Sequence, residues 1–300
     1  MNKEINQTSQ EINKEDILQK KLYRVWFFTN ERINSFFPIL ENQKGIRKVF
    51  SIGGGGDFVF SLLATPEFQS LSEINIGDIR PMANISIDFK SALFKNLEYQ
   101  EILELFLAQK PFPKKQTYAR IRATITPISR KIFDNIIENC KTDNFLKCLR
   151  KSGLWYRDSF WQIKNKGKYL PYLAQEGKYR LLQKNLDKKP ILDKKTIYSG
   201  DFNKTLKLFQ NDYYDLIYVS NVLDSKQYCR ESGLYLQTIK EKLSQNGLLL
   251  VVTQNNPKKI IKAIEEKGFS VREKQLSRFN IISAFLGHYA YSFLLFRKNY

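Results

Sequence analysis

Lys48-Val49-Phe50-Ser51-Ile52-Gly53-Gly54-Gly55-Gly56-Asp57 is the stretch on which the fold turns. A short apolar run meets four consecutive glycines, and beyond them Phe58, Val59, Leu62 and Leu63 recur at helical spacing. The pattern reads as strand, glycine turn, helix. Some twenty residues on, Glu73-Ile74-Asn75-Ile76-Gly77-Asp78 forms a second short strand ending in a carboxylate, and Ile85, Phe89, Leu93 and Leu97 mark an amphipathic helix. Thr196 to Asp201 and Tyr214 to Ser220 repeat the strand pattern. A helix through Tyr228, Leu234, Ile239 and Leu243 is expected to stop at Asn246-Gly247. Leu248 to Thr253 follows as a buried strand, Pro257 to Lys267 as a helix, and Phe269 to Leu276 and Tyr289 to Phe296 as a closing antiparallel pair. Strands alternating with helices predict an α/β fold, a doubly wound Rossmann-like, mostly parallel sheet with an antiparallel final strand.

The chain has 300 residues, of which 42% are hydrophobic, so it can build a substantial core and is not disordered throughout. Residues 1–21 read as a flexible polar tail. Residues 22–109 and 196–300 carry the sheet pattern. Between them, 110–195 holds 22 Lys and Arg against 7 Asp and Glu, so fifteen of the net nineteen positive charges sit there. Prolines punctuate this segment, and helical stretches are expected around 129–150 and 172–184. It is predicted to be a basic helical insertion between the second and third strands of the sheet.

Cysteine and histidine usage excludes several chemistries. Cys140, Cys148 and Cys229 lack CxxC spacing and are odd in number, against a disulfide framework. With His288 as the sole histidine, a Cys/His zinc site is excluded and no metal is expected. No apolar stretch resembles a signal peptide or a membrane span, so the chain reads as soluble and cytoplasmic, with any membrane contact peripheral.

A glycine turn lets the backbone approach a ligand that side chains would exclude, and an acid ending the next strand accepts hydrogen bonds from ribose hydroxyls. Gly53, Gly54, Gly55, Gly56 and Asp57, with Asp78 and the following Ile79, fit that arrangement. Phe58 breaks the G-x-G-x-x-G spacing, and no Walker lysine follows, which weighs against pyrophosphate and P-loop ligands. A nucleoside cofactor without phosphates fits better, and S-adenosyl-L-methionine (SAM) is the common one. Asp201 and Phe202 would then lie beside the adenine, with Ser220, Asn221 and Asp224 along the reacting side of the cleft. The competing reading of the glycines is a tight structural turn; that of Ser220 to Asp224 is a helix cap.

Asp78-Ile-Arg-Pro81-Met-Ala-Asn-Ile-Ser-Ile-Asp88-Phe-Lys90, continuing through Leu97-Glu98-Tyr99, resembles the bacterial SAM:diacylglycerol 3-amino-3-carboxypropyl transferases of betaine-lipid synthesis and their relatives. In that family the second strand ends in Asp, Pro follows three positions later, and an acidic-x-Lys pair sits on the helix. Gly55-Gly56-Asp57 and Val219-Ser220-Asn221-Val222-Leu223 are also similar to family segments, and Trp26 matches a tryptophan of its N-terminal motif. The likeness covers about 22–107 and 196–297. Phe58 stands where the family has Asn, Ala83 where Gln is usual, and Phe27-Phe28 where acids follow the tryptophan. The resemblance implies a class I SAM methyltransferase-type fold, SAM as cofactor, and transfer of the 3-amino-3-carboxypropyl group to a hydroxyl or amine acceptor, a diacylglycerol-like lipid among the candidates. Methyl transfer to a small molecule or RNA, and a non-catalytic SAM- or nucleoside-binding module, remain alternatives.

Displacement at a SAM carbon needs alignment above all, and a hydroxyl acceptor gains from a base in reach. Asp224 and His288 are the candidate bases, the competing reading of His288 being a surface residue. Arg24 and Arg80 are candidates to hold the amino acid carboxylate of SAM, with Trp26 nearby; each arginine also reads as an ordinary exposed charge. The basic insertion has three readings: a grip on an anionic membrane, a solvated lysine-rich face, or RNA contact through interleaved Trp155, Tyr156, Phe160, Trp161, Tyr169, Tyr172 and Tyr179.

Overall fold

The computed structural model describes residues 33–78, 81–107, 112–151, 170–188, 197–220, 223, 226–254, 256–275 and 292–299. Helix α1 (Ile33–Glu41) leads into β1 (Lys48–Ile52), the glycine turn, α2 (Asp57–Leu63) and β2 (Glu73–Asp78). Among the described residues, seven helices follow before the next strand: α3 (Pro81–Asn96), α4 (Tyr99–Leu107), α5 (Lys114–Arg122), α6 (Pro127–Asn139), α7 (Phe145–Lys151), α8 (Pro171–Ala174) and α9 (Glu176–Lys188). The second half runs β3 (Ile197–Ser199), α10 (Phe202–Lys207), β4 (Tyr214–Val219), α11 (Lys226–Lys242), β5 (Leu243–Thr253), α12 (Pro257–Glu265), β6 (Phe269–Gln275) and β7 (Ser292–Lys298).

The seven strands among the described residues form one sheet in the order β3-β2-β1-β4-β5-β7-β6. Strands β1 to β5 pair in parallel, and β7 runs antiparallel between β5 and β6. Chain order reverses between β1 and β4, which creates a switch point at their carboxyl ends. The sheet is buried on both faces, which is why its strands read as near-continuous apolar runs. Val49, Ile74, Ile76, Leu216, Tyr218, Leu250 and Leu295 pack to one side, against α1 to α3 and the helices of the insertion. Their alternating neighbours Phe50, Ile217, Val219, Leu249, Val251 and Leu294 pack to the other, with α10, α11 and α12.

The insertion shares the first of these cores. Leu170, Tyr172, Leu173, Tyr179 and Leu182 belong to the same cluster as Val49 and Ile76. Phe89 of α3 stacks on Phe133 of α6, with centroids 4.1 Å apart and planes 16° from parallel. Asp88 Oδ2 accepts from both the Thr126 N–H (3.0 Å) and the Thr126 hydroxyl (2.6 Å), and Thr126 caps α6 ahead of Pro127. One residue of α3 thus fixes where the insertion turns back on the sheet. The burial of Tyr172 and Tyr179 corrects the expectation that they could stack on bases, because neither ring reaches solvent.

Two boundaries differ from the sequence expectation. Helix α11 ends at Lys242, before Asn246-Gly247, and β5 begins at once with a register shift, Tyr214 opposing Leu243 but Leu216 opposing Leu248. Gly247 serves this bulge: a Cβ there would lie 2.9 Å from both Leu243 Cβ and the Ser244 carbonyl oxygen. Strand β3 is trimmed to three residues, as befits an exposed edge.

Candidate functional site

The glycine turn and Asp78 meet at the carboxyl ends of β1 and β2, beside the switch point. Gly53 N–H donates to the Gly77 carbonyl (2.9 Å), which carries the β1–β2 pairing into the turn, and Gly56 N–H donates to the Gly53 carbonyl (2.8 Å) to close it. Gly54 (φ 46°) and Gly56 (φ 76°) occupy the left-handed region. Gly54 N–H then donates to Asp78 Oδ2 at 2.9 Å. A Cβ on Gly53 would sit 2.9 Å from Asp78 Cβ and 3.2 Å from Oδ2, so the carboxylate occupies the space that a side chain would need. At Gly54 a Cβ would meet nothing within 4 Å, so this side of the turn is open to an incoming group. An open glycine backbone joined to a buried carboxylate, 5% exposed, fits a nucleoside sugar: the acid accepts from hydroxyls, and the missing side chains leave room for the ligand. The residues present therefore fit SAM.

Other expected site residues are placed differently. Asp57 is not at the cleft: it is 1% exposed, and Oδ1 accepts from Lys90 Nζ (2.6 Å) and the Tyr172 hydroxyl (2.5 Å). This corrects its expected cofactor role. Lys90 is fully buried, so desolvation pushes its ammonium below the ordinary lysine value, opposed by the adjacent Asp57 charge and hydrogen bond. Burial and the same carboxylate push the Tyr172 hydroxyl well above its ordinary value, so it stays a donor. The three groups join α2, α3 and α8. The one local hint in the sequence is a lysine inside the apolar run from Ile85 to Leu97, flanked on both faces of its helix.

Asp201 is likewise committed to the fold. Its Oδ1 accepts from Asn203 N–H (3.0 Å) and Lys204 N–H (3.1 Å), capping α10, and Oδ2 accepts from the Tyr235 hydroxyl (3.1 Å). The residue expected beside the adenine thus spends both carboxylate oxygens within the fold, as a helix cap and as the tyrosine's acceptor, and is itself half-buried. Phe202 is 4% exposed and packs its ring against Phe50 and Tyr235, in the core on the other face of the sheet, so its side chain is also interior. Tyr235 was not expected from the sequence, since it lies 34 residues from its partner.

Ser220 follows β4 at the switch point and is half-buried. Arg24, Trp26, Ile79, Arg80, Asn221, Asp224 and His288 lie outside the described residues. Phe58, the departure noted after the glycines, stacks on Tyr218 of β4 with centroids 4.0 Å apart and planes 20° from parallel.

Among the described residues no group of three His, Cys, Asp or Glu could hold a metal ion, and no helix is long and apolar enough to cross a membrane. Two surface hollows, of about 230 and 460 Å³, lie on the insertion around α5. Neither includes the glycine turn.

No protein-family model and no curated protein matches the chain. Among solved structures, it aligns with the N-methyltransferase NodS of Bradyrhizobium japonicum WM9 in complex with S-adenosyl-L-homocysteine, at 10% identity over 98% of this chain and 96% of that one, TM-score 0.42. A SAM-dependent methyltransferase of Methanosarcina mazei aligns at 10% identity over 87% and 97%, TM-score 0.42. The rRNA methyltransferase aviRa of Streptomyces viridochromogenes aligns at 10% identity over 96% and 94%, TM-score 0.42. The sheet is Rossmann-like, mostly parallel, with β7 antiparallel between β5 and β6.

Proposed function

We propose that this chain is a SAM-dependent transferase that moves the 3-amino-3-carboxypropyl group to a hydroxyl or amine acceptor and releases 5′-methylthioadenosine. The observation that carries the cofactor reading is the bond from Gly54 N–H to Asp78, which fixes a buried acceptor beside an open glycine backbone. When bound, SAM supplies a sulfonium whose three neighbouring carbons are open to displacement. This chain's residues would hold the sugar at Asp78 and let the ligand lie against Gly54 without steric conflict.

The choice of group rests on the resemblance from Asp78 to Tyr99. The structure gives two of its motif residues architectural work: Asp88 holds Thr126 and Lys90 holds Asp57. The motif thus supports the scaffold more directly than the acceptor, and product analysis decides the group. With SAM and diacylglycerol-containing vesicles or a primary amine, methylthioadenosine is the expected product. S-adenosylhomocysteine would assign methyl transfer instead, and tight binding without turnover would make the chain a binding module. Asp78→Ala and Gly53→Ala should each weaken SAM binding by calorimetry about tenfold or more, since one removes the acceptor and the other displaces it. No heat with SAM on the wild-type chain overturns the reading.

A further inference from the structure

Cys140, at the end of α6, and Cys148, in α7, meet at the corner around Thr142. Cys148 Sγ–H donates to the Thr142 carbonyl at 3.4 Å, two residues beyond Cys140, and each thiol acts on the ionisation of the other. The corner that holds them is pinned. Lys114 Nζ donates to the Cys140 carbonyl (2.6 Å), Lys114 N–H to the Asp143 carbonyl (2.7 Å), and Phe145 N–H to the Phe112 carbonyl (3.0 Å). Cys140 is half-buried and reachable, whereas Cys148 is 1% exposed.

We propose that Cys140 and Cys148 form a reversible disulfide when the protein meets a hydroperoxide. Cys140, as thiolate, attacks the outer peroxide oxygen; the O–O bond breaks, the alkoxide or hydroxide leaves and takes a proton from solvent, and Cys140 becomes a sulfenic acid. Cys148 then attacks that sulfur. The S–S bond forms, the S–O bond breaks, and the Cys148 proton leaves with the hydroxide as water. Two thiols are oxidised by two electrons and one peroxide is reduced. The roles follow from the surroundings. Partial burial disfavours the Cys140 thiolate, but hydrogen bonds from Cys148 and Thr142 and the charges of Lys114 and Lys151 outweigh it and hold this thiol below its ordinary value. Burial first, and then the hydrogen bond to Cys140, push the Cys148 thiol up, which keeps it protonated until the sulfenic acid forms beside it. A single labile bond of this kind is consistent with an odd cysteine count, which argues against a permanent framework only.

Hydrogen peroxide added to the full chain carrying Cys229→Ser tests the proposal independently of any SAM chemistry. The expected product is a monomer lighter by two hydrogens, with peptides containing Cys140 and Cys148 joined until dithiothreitol is added. Adding Cys148→Ser should stop the reaction at a sulfenic acid that dimedone traps on residue 140. Adding Cys140→Ser should slow peroxide consumption about tenfold or more. Both thiols still alkylated by iodoacetamide in denaturant after peroxide, a bond between chains, or further oxidation of Cys140 without a bond would each overturn it, and the first and last of these are read on the Cys229→Ser chain itself, whatever the folding of the other variants.

Discussion

At residue scale the least expected arrangement is the Asp57–Lys90–Tyr172 cluster. A buried ion pair repays its desolvation only when the remaining polar positions are satisfied, and here the tyrosine shares the carboxylate while Lys90 Nζ also lies 5.3 Å over the Phe60 ring. Removing one partner leaves an uncompensated charge. Lys90→Met is expected to cost about 3–5 kcal/mol in urea unfolding, and the Lys90→Met/Asp57→Leu pair should recover much of that, leaving the Tyr172 hydroxyl unpaired at about 1–3 kcal/mol. A double variant no more stable than the single one would show that the pair is not what holds α2 to α3. Asp57 and Asp78 also show how local chemistry hides direction. Both are acids close to the glycine turn, yet one turns into the core and the other meets Gly54, because Asp57 begins a helix with all seven residues buried while Asp78 ends a strand at the switch point.

At element scale, helices α4 and α5 are tied by a two-pronged pair. Arg120 donates to both oxygens of Glu101, at 2.5 and 2.9 Å, and to the Asn96 carbonyl. The hydrogen bonds from Arg120 hold the Glu101 carboxyl below its ordinary value, against partial burial. The folded carboxyl is thus the stronger acid, so its contribution is present above the unfolded value and is lost as pH falls through the lowered folded one. The Arg120 and Glu101 side chains are 43% and 32% exposed, which limits the contribution to less than about 1 kcal/mol. Glu101→Gln should be slightly less stable than wild type at about pH 7, and the difference should shrink as pH falls below the ordinary carboxylate value. A difference that persists in acid would assign the loss to packing. Elements whose periodicity is local were legible in the sequence: β1 and β2 lie where their apolar runs place them. The end of α11 was not, because the bulge opposite Tyr214 is set by a neighbouring strand, and neither was Asp201's cap, whose second partner Tyr235 comes from another helix.

For the whole molecule, the way the basic segment attaches to the sheet was not legible in the sequence. Tyr172 and Tyr179 reach α2 and α3 across about a hundred residues of chain, Tyr179 donating to the Leu97 carbonyl at 2.7 Å. Its inward face is thereby spent on the shared core, and what remains outward is charge. Lys115, Lys131, Lys141, Lys147 and Lys151 are exposed, whereas Arg120 and Arg122 are engaged by Glu101 and Asp134. An acceptor of lipid type would bring this face to an anionic surface, where each lysine near the headgroups contributes about 1 kcal/mol. The chain should float with phosphatidylglycerol vesicles at low salt, stay behind with phosphatidylcholine, and be released as ionic strength shortens the screening length to a few ångströms. Changing Lys131, Lys141 and Lys147 to Glu should abolish flotation without altering SAM binding, since none of the three touches the glycine turn. Flotation indifferent to lipid charge, or RNA that competes the protein off vesicles at stoichiometric amounts, would remove the membrane reading, the latter in favour of a nucleic acid partner for the same lysines.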